Sequence, residues 1–183
     1  MQPEDFYLDV ASTAAACFLS LVFLRALLHK LGRHAELAGT IRDYRLMSPR
    51  VVPLAAAAVV ASEACAAVGL LLPQTRASAA FLACGLLLFY STAIGINLLR
   101  GRTTINCGCG GPDQGISRLQ VVRNVVLALC AVPAMTSVSR GATGLEISVV
   151  AAGCVLAAWF LFLAFDQLLG NRTHALATEY SSF

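Results

Sequence analysis

The chain has 183 residues, of which 58% are hydrophobic and only 13% charged, and its mean hydropathy is +0.75. A soluble domain carries about 25% charged residues, so this composition leaves too little polar surface to coat a globule in water and disfavours a soluble enzyme, a disordered chain and a nucleic-acid binder. The net charge of +3 is too small to hold a polyanion and matters only through where the charges sit.

The apolar runs set the architecture. Residues 10–28 contain one charge, Arg25, and follow an acidic start, Glu4, Asp5 and Asp9. A cleaved signal needs a basic start and a short apolar stretch, so this run predicts a permanent membrane helix. Residues 29–50 hold Lys30, Arg33, Arg42, Arg45 and Arg50 against Glu36 and Asp43. Leu31, Leu37, Ile41 and Tyr44 fall roughly on one helical face, which fits either an interfacial amphipathic helix or a solvated basic loop. Residues 51–75 contain only Glu63, and residues 77–99 contain no charge. A carboxylate in mid-membrane costs a few kcal/mol or more unless it is paired or protonated, so Glu63 is expected to face the bundle interior. Arg123 is one candidate partner.

Residues 100–118 are glycine-rich. Residues 119–138 form the weakest run, interrupted by Arg123, Asn124 and Pro133, whereas residues 147–165 carry no charge. Arg25, Arg123 and Asp166 lie nearer the ends of their runs, where long side chains can reach the interface. A helix needs about 20 residues to cross a hydrocarbon core of roughly 30 Å, and no run alternates with the period of a barrel strand. The expectation is an all-α polytopic membrane bundle of about five transmembrane helices. It forms one domain over residues 1–170, followed by a loose polar tail, 171–183. The third and fourth spans are expected to be antiparallel neighbours, because the link between them is short.

Seven cysteines are present. Cys17, Cys65, Cys84, Cys130 and Cys154 sit in the apolar runs, where cysteine serves as a small hydrophobe. Cys107 and Cys109 differ: they stand in Ile105-Asn106-Cys107-Gly108-Cys109-Gly110-Gly111-Pro112. A Cys-x-Cys ring is strained, and strain makes a disulfide labile. Arg102 and Arg118 are near in sequence, and a nearby cation favours the reactive thiolate. Three readings stay open from these residues: a redox pair, a structural turn or disulfide, and a metal site. Zinc is the weakest of them, because no second Cys/His pair is evident. Asn97, Arg100, Arg123 and Asn124 bracket the segment at the ends of the third and fourth spans and are candidates to position it.

The pattern resembles the methylamine utilisation protein MauE family. The residues that carry the likeness are Asn97-Leu98-Leu99-Arg100-Gly101-Arg102, then Cys107-Gly108-Cys109-Gly110-Gly111, then Arg123-Asn124. Lys30-Leu31, Tyr44, Pro49 and residues 63–69 also match. The resemblance implies a multi-pass protein of the bacterial inner membrane needed to mature methylamine dehydrogenase, whose small subunit carries tryptophan tryptophylquinone and many disulfides. It implies a thioredoxin-like partner of the MauD type. The first functional hypothesis is then thiol–disulfide exchange through Cys107 and Cys109, with Cys65 or Cys84 as a candidate relay. The family is similar to the DoxX/DoxD helical membrane proteins and more loosely to quinone-linked disulfide-forming bundles, so a bound quinone is compatible. A non-enzymatic chaperone or assembly partner is the alternative; a transporter is disfavoured because no repeat is seen.

Charge also suggests orientation. With five spans, both long links and the C-terminus share one side. That side holds nine basic residues: five in residues 29–50, then Arg100, Arg102, Arg118 and Arg172. The other side holds Arg76 and Arg140. Basic loops stay cytoplasmic, which places the N-terminus in the periplasm and the cysteine segment in the cytoplasm. Disulfide delivery to a periplasmic subunit pulls the other way.

Overall fold

The computed structural model describes residues 3–102, 105, 115–135 and 145–180. Within these, all regular structure is helical apart from one isolated bridge at Gly115. The helices are α1 (Pro3–Leu31), α2 (His34–Asp43), α3 (Val52–Leu71), α4 (Arg76–Leu99), α5 (Arg118–Cys130), α6 (Val132–Met135) and α7 (Leu145–Tyr180). A 3-10 turn, Pro49–Val51, leads into α3. Five helical stretches are long and apolar enough to cross a membrane: Glu4–Leu31, Pro49–Leu71, Arg76–Leu99, Arg118–Met135 and Leu145–Asn171. The chain is therefore a multi-pass membrane protein with the expected number of spans.

α1 is the central helix. It packs against α3 and α7 and reaches α6, while α3 packs against α4 and α4 against α5. Its charges suit the helix dipole: Glu4 and Asp5 occupy the first turn and Lys30 the last, each opposite in sign to the dipole at that end. The main core gathers Ala16, Leu19 and Phe23 of α1 with Ala67 and Leu70 of α3 and Ala83 and Leu87 of α4. Small residues let the helices approach closely. At Gly69 an added Cβ would stand 2.8 Å from the Ala79 Cβ, so glycine is required where α3 meets α4. The Thr75 hydroxyl donates to the Gly69 carbonyl at 2.9 Å and fastens the turn between them. Many large apolar side chains point outward, among them Leu54, Phe81, Phe160 and Leu161, as a lipid-facing surface requires.

α4 and α5 are antiparallel neighbours, as expected. At one end of the pair Ala93 and Ile94 cluster with Ile116 and Val121. Further along, Ala83 and Leu87 share a cluster with Leu127 and Ala131.

Three boundaries differ from expectation. The first link does not begin at residue 29: α1 continues to Leu31, which carries Lys30 into the bundle, where it is 4% exposed. Part of that link is a helix, α2, whose Leu37 and following Tyr44 are buried against protein, while Leu31 is exposed. The weak fourth span is divided near Pro133, which lacks a backbone N–H, into α5 and α6. Arg123 and Asn124 do not interrupt it. The fifth span does not end at the start of the polar tail: α7 continues through Tyr180, so residues 171–180 are helical.

Candidate functional site

Two buried ionic centres lie between the spans. In the first, the Lys30 ammonium on α1 donates to Glu63 Oε1 on α3. The Tyr90 hydroxyl on α4 donates to the same oxygen at 2.7 Å, and Lys30 Nζ also lies 5.6 Å from the centre of the Tyr90 ring. Glu63 is fully buried. In the second, Asp166 on α7 is shared by two arginines. Arg25 Nη2 donates to Oδ2 at 2.8 Å and Arg123 Nη1 to Oδ1 at 2.7 Å. The Asp166 side chain is 3% exposed and that of Arg123 9%, against 31% for Arg25. Charges at these depths persist only when paired, and here each buried charge has an opposite partner.

Two expectations are corrected by this geometry. Glu63 does not pair with Arg123; Lys30, two residues beyond the first apolar run, reaches it instead. Arg25, Arg123 and Asp166 do not extend separately to the interface but converge on each other, because α1, α5 and α7 bring their ends of the bundle together. Lys30, Tyr90 and the convergence on Asp166 were missed from sequence. The available signal was the surplus of opposite charges within apolar runs, which must meet somewhere.

The ends of the cysteine segment are held in detail, although Cys107 and Cys109 lie outside the described residues. α4 stops in a Schellman arrangement: the Gly101 N–H donates to the Leu98 carbonyl at 3.0 Å and the Arg102 N–H to the Asn97 carbonyl at 3.0 Å. Gly101 has φ +72°, a conformation that glycine adopts without strain. Arg102 Nη1 then donates to the Asp43 carbonyl at 3.0 Å, tying the start of the segment to the end of α2. On the far side the Ser117 N–H donates to the Gln120 side chain at 2.9 Å, capping α5, and Gln120 Nε2 donates to the Gly115 carbonyl at 3.3 Å. The Ile116 N–H donates to the Ile105 carbonyl at 3.0 Å and draws the two ends together. Ile105 and Ile116 pack with Tyr44, Ala93 and Ile94. Burial pushes the Tyr44 hydroxyl up to about 12, so it stays protonated at any physiological pH.

The remaining candidates divide. Asn97 is fully buried in the last turn of α4, where its Nδ2 donates to the Ala93 carbonyl at 3.1 Å. With Arg102 it belongs to the anchor of the segment. Arg100 caps α4 and is exposed. Arg123 and Asn124 lie deeper along α5 and belong to the ionic centres. Cys65 is exposed on α3 and Cys84 half-buried on α4. Cys84 precedes the end of α4 by 15 residues, about 22 Å of helix, so it lies well away from the segment's anchor at that end.

A mostly apolar cavity of about 330 Å³ lies between α2, α3 and α4, beside that anchor; Leu37, Ile41, Tyr44, Phe89 and Ile94 line it, together with Thr40 and Ser62. This is the lower end of the range for small-molecule sites, about 300–1,000 Å³.

Comparison with known proteins places these features in a family. The family profile described as methylamine utilisation protein MauE matches residues 8–137, which include Glu63, the anchor residues and both cysteines of the segment. The chain is 39% identical over 142 residues to the methylamine utilization protein MauE of Paracoccus denitrificans, covering 72% of this chain and 76% of that protein. It is 38% identical over 124 residues to the protein of the same description from Methylorubrum extorquens, covering 67% of each chain. To that of Paracoccus versutus it is 36% identical over 163 residues, 86% of each. No solved structure matches the chain. A helical membrane bundle whose matched region spans the buried Glu63 and the anchored Cys-Gly-Cys segment belongs to the MauE family.

Proposed function

We propose that this chain serves methylamine utilisation from the bacterial inner membrane, maturing the methylamine dehydrogenase small subunit by thiol–disulfide exchange at Cys107 and Cys109. A thioredoxin-like protein of the MauD type is the exchange partner. The observation that carries this reading is the anchor. Ile105 and Ile116, Arg102 and Asp43, and Gln120 and Ser117 all fix the two ends of the short stretch that holds the paired thiols. Both described ends of that stretch lie where α4 stops and α5 begins, so a partner that engages the segment is expected at that end of the bundle. Arg102 stands five residues from Cys107 in sequence, and a cation brought beside a thiol favours the thiolate.

The exchange balances without another reactant. A thiolate of the reduced pair attacks the partner's disulfide, forming a mixed disulfide and releasing one partner thiolate. The second loop thiolate then displaces the partner. Cys107 and Cys109 become a disulfide, the partner becomes a dithiol, and two electrons and two protons have moved; the reverse direction oxidises the partner. A quinone, where one binds, would supply a lipid-soluble two-electron acceptor, and the mostly apolar cavity beside the anchor has the size for such a ring.

The test replaces Cys107 and Cys109 by Ser, singly and together, in a strain that uses methylamine. Each variant is expected to remain in the membrane at the normal level while disulfide formation in the dehydrogenase small subunit is lost. Full maturation with the double variant refutes exchange and leaves an assembly partner, in which the segment only docks.

A further inference from the structure

We propose that a small cavity inside the bundle is a water-binding site that joins Glu63 to Asn124 and so links the two ionic centres into one network. This inference is independent of the thiol chemistry. The cavity measures about 40 Å³, and Lys30, Glu63, Tyr90, Arg123 and Asn124 are among its lining residues. A single water needs roughly 10–15 Å³ by this measure, together with two to four polar partners, so the space admits one to about three.

The occupant is identified by what its walls lack. Glu63 is 0% exposed and Asn124 2%. Glu63 Oε1 is used by Lys30 and Tyr90, but Oε2 is buried with no hydrogen-bond partner. Asn124 Oδ1 accepts from Arg123 at 3.4 Å, but Nδ2 is buried with no partner. One orphan is an acceptor and the other a donor, and both residues face the same space. Leaving either unmet in an apolar interior costs the full desolvation of that group with nothing in return. A bound anion would oppose the Glu63 carboxylate, and a bound cation would oppose Lys30, Arg25 and Arg123, which also line the space. A neutral molecule that both donates and accepts satisfies the two atoms at once, and water is the one that fits.

The consequence is structural continuity. With water in place, Lys30, Glu63 and Tyr90 connect through Asn124 and Arg123 to Asp166 and Arg25. The network then takes at least one side chain from every one of the five spans.

Radiolytic hydroxyl-radical labelling of the full chain in lipid nanodiscs tests this, because radicals form from bound water and oxidise the side chains beside it. Leu87 and Leu127 are 4% and 5% exposed and line the cavity, whereas Leu19 and Leu70 are 0% exposed and do not. The expected result is several-fold more oxidation at Leu87 and Leu127 than at Leu19 and Leu70. In Asn124→Leu, which removes the donor and fills the space, that excess is expected to disappear. Equal, low labelling of all four leucines in the unaltered chain overturns the proposal whether or not the variant folds. An excess that persists in a folded Asn124→Leu variant also overturns it.

Discussion

At the scale of single residues, Glu63 governs the interior. Its burial demands a partner, and Lys30 and Tyr90 meet that demand from two other helices. Removing one member of a buried pair strands the other charge, at a cost of about 3–5 kcal/mol, whereas replacing both by apolar residues of similar volume is often nearly neutral. Glu63→Leu is therefore expected to lower the thermal midpoint in detergent strongly, and Lys30→Met combined with Glu63→Leu to recover most of the loss. Additive losses in the double variant would show that the two side chains do not act as a pair. Asp166→Leu leaves Arg123 buried without its carboxylate, so it is expected to destabilise more than Arg25→Leu, whose partly exposed guanidinium keeps water. A larger loss for Arg25→Leu in the same unfolding assay would contradict that order. The need of Glu63 for protein surroundings was readable from one letter in an apolar run. Its partner was not, because Lys30 follows the run and looks like the first charge of a loop until α1 is seen to continue past it.

At the scale of elements, the five spans were readable because hydrophobic length is a property of the sequence alone. Helix ends and helix contacts depend on tertiary partners, so the choice of helix over loop for α2, the continuity of α5 through Arg123 and Asn124 and the extension of α7 to Tyr180 were not. Gly69 shows how one contact sets the spacing of two spans. Gly69→Ala drives a methyl group into Ala79, and overpacking of this kind costs about 1–3 kcal/mol. Gly85→Ala, on the same α4 but with open space around the new methyl, is expected to be neutral or slightly stabilising. Thermal unfolding of the two variants side by side checks this; equal midpoints would mean that α3 and α4 do not depend on close approach at Gly69. The caps that hold the cysteine segment were half readable. Asn97, Arg100, Arg123 and Asn124 stood out as brackets, and of these only Asn97 belongs to the anchor; the tie from Arg102 to the Asp43 carbonyl joins residues 59 positions apart and leaves no local pattern.

At the scale of the whole molecule, one end of the bundle collects α2, the anchored cysteine segment and the C-terminal end of α7. Drawing Lys30 into the interior removes one charge from that end, yet eight basic residues remain in its sequence against Arg76 and Arg140 at the other. The charge rule predicts that a green fluorescent protein fused to the C-terminus fluoresces in the cytoplasm. An active alkaline phosphatase at the same position would reverse the orientation and set the segment beside a periplasmic subunit. On either side, the central claim is that Cys107 and Cys109 exchange electrons with a thioredoxin-like protein. The direct measurement is to change each cysteine to Ser in turn and to seek a covalent adduct on non-reducing gels of methylamine-grown cells. The account predicts a reductant-sensitive adduct with the thioredoxin-like partner in at least one single variant and none in the double variant. Absence of an adduct from both single variants, with both cysteines of the unaltered chain remaining reduced under every oxidant, would contradict it.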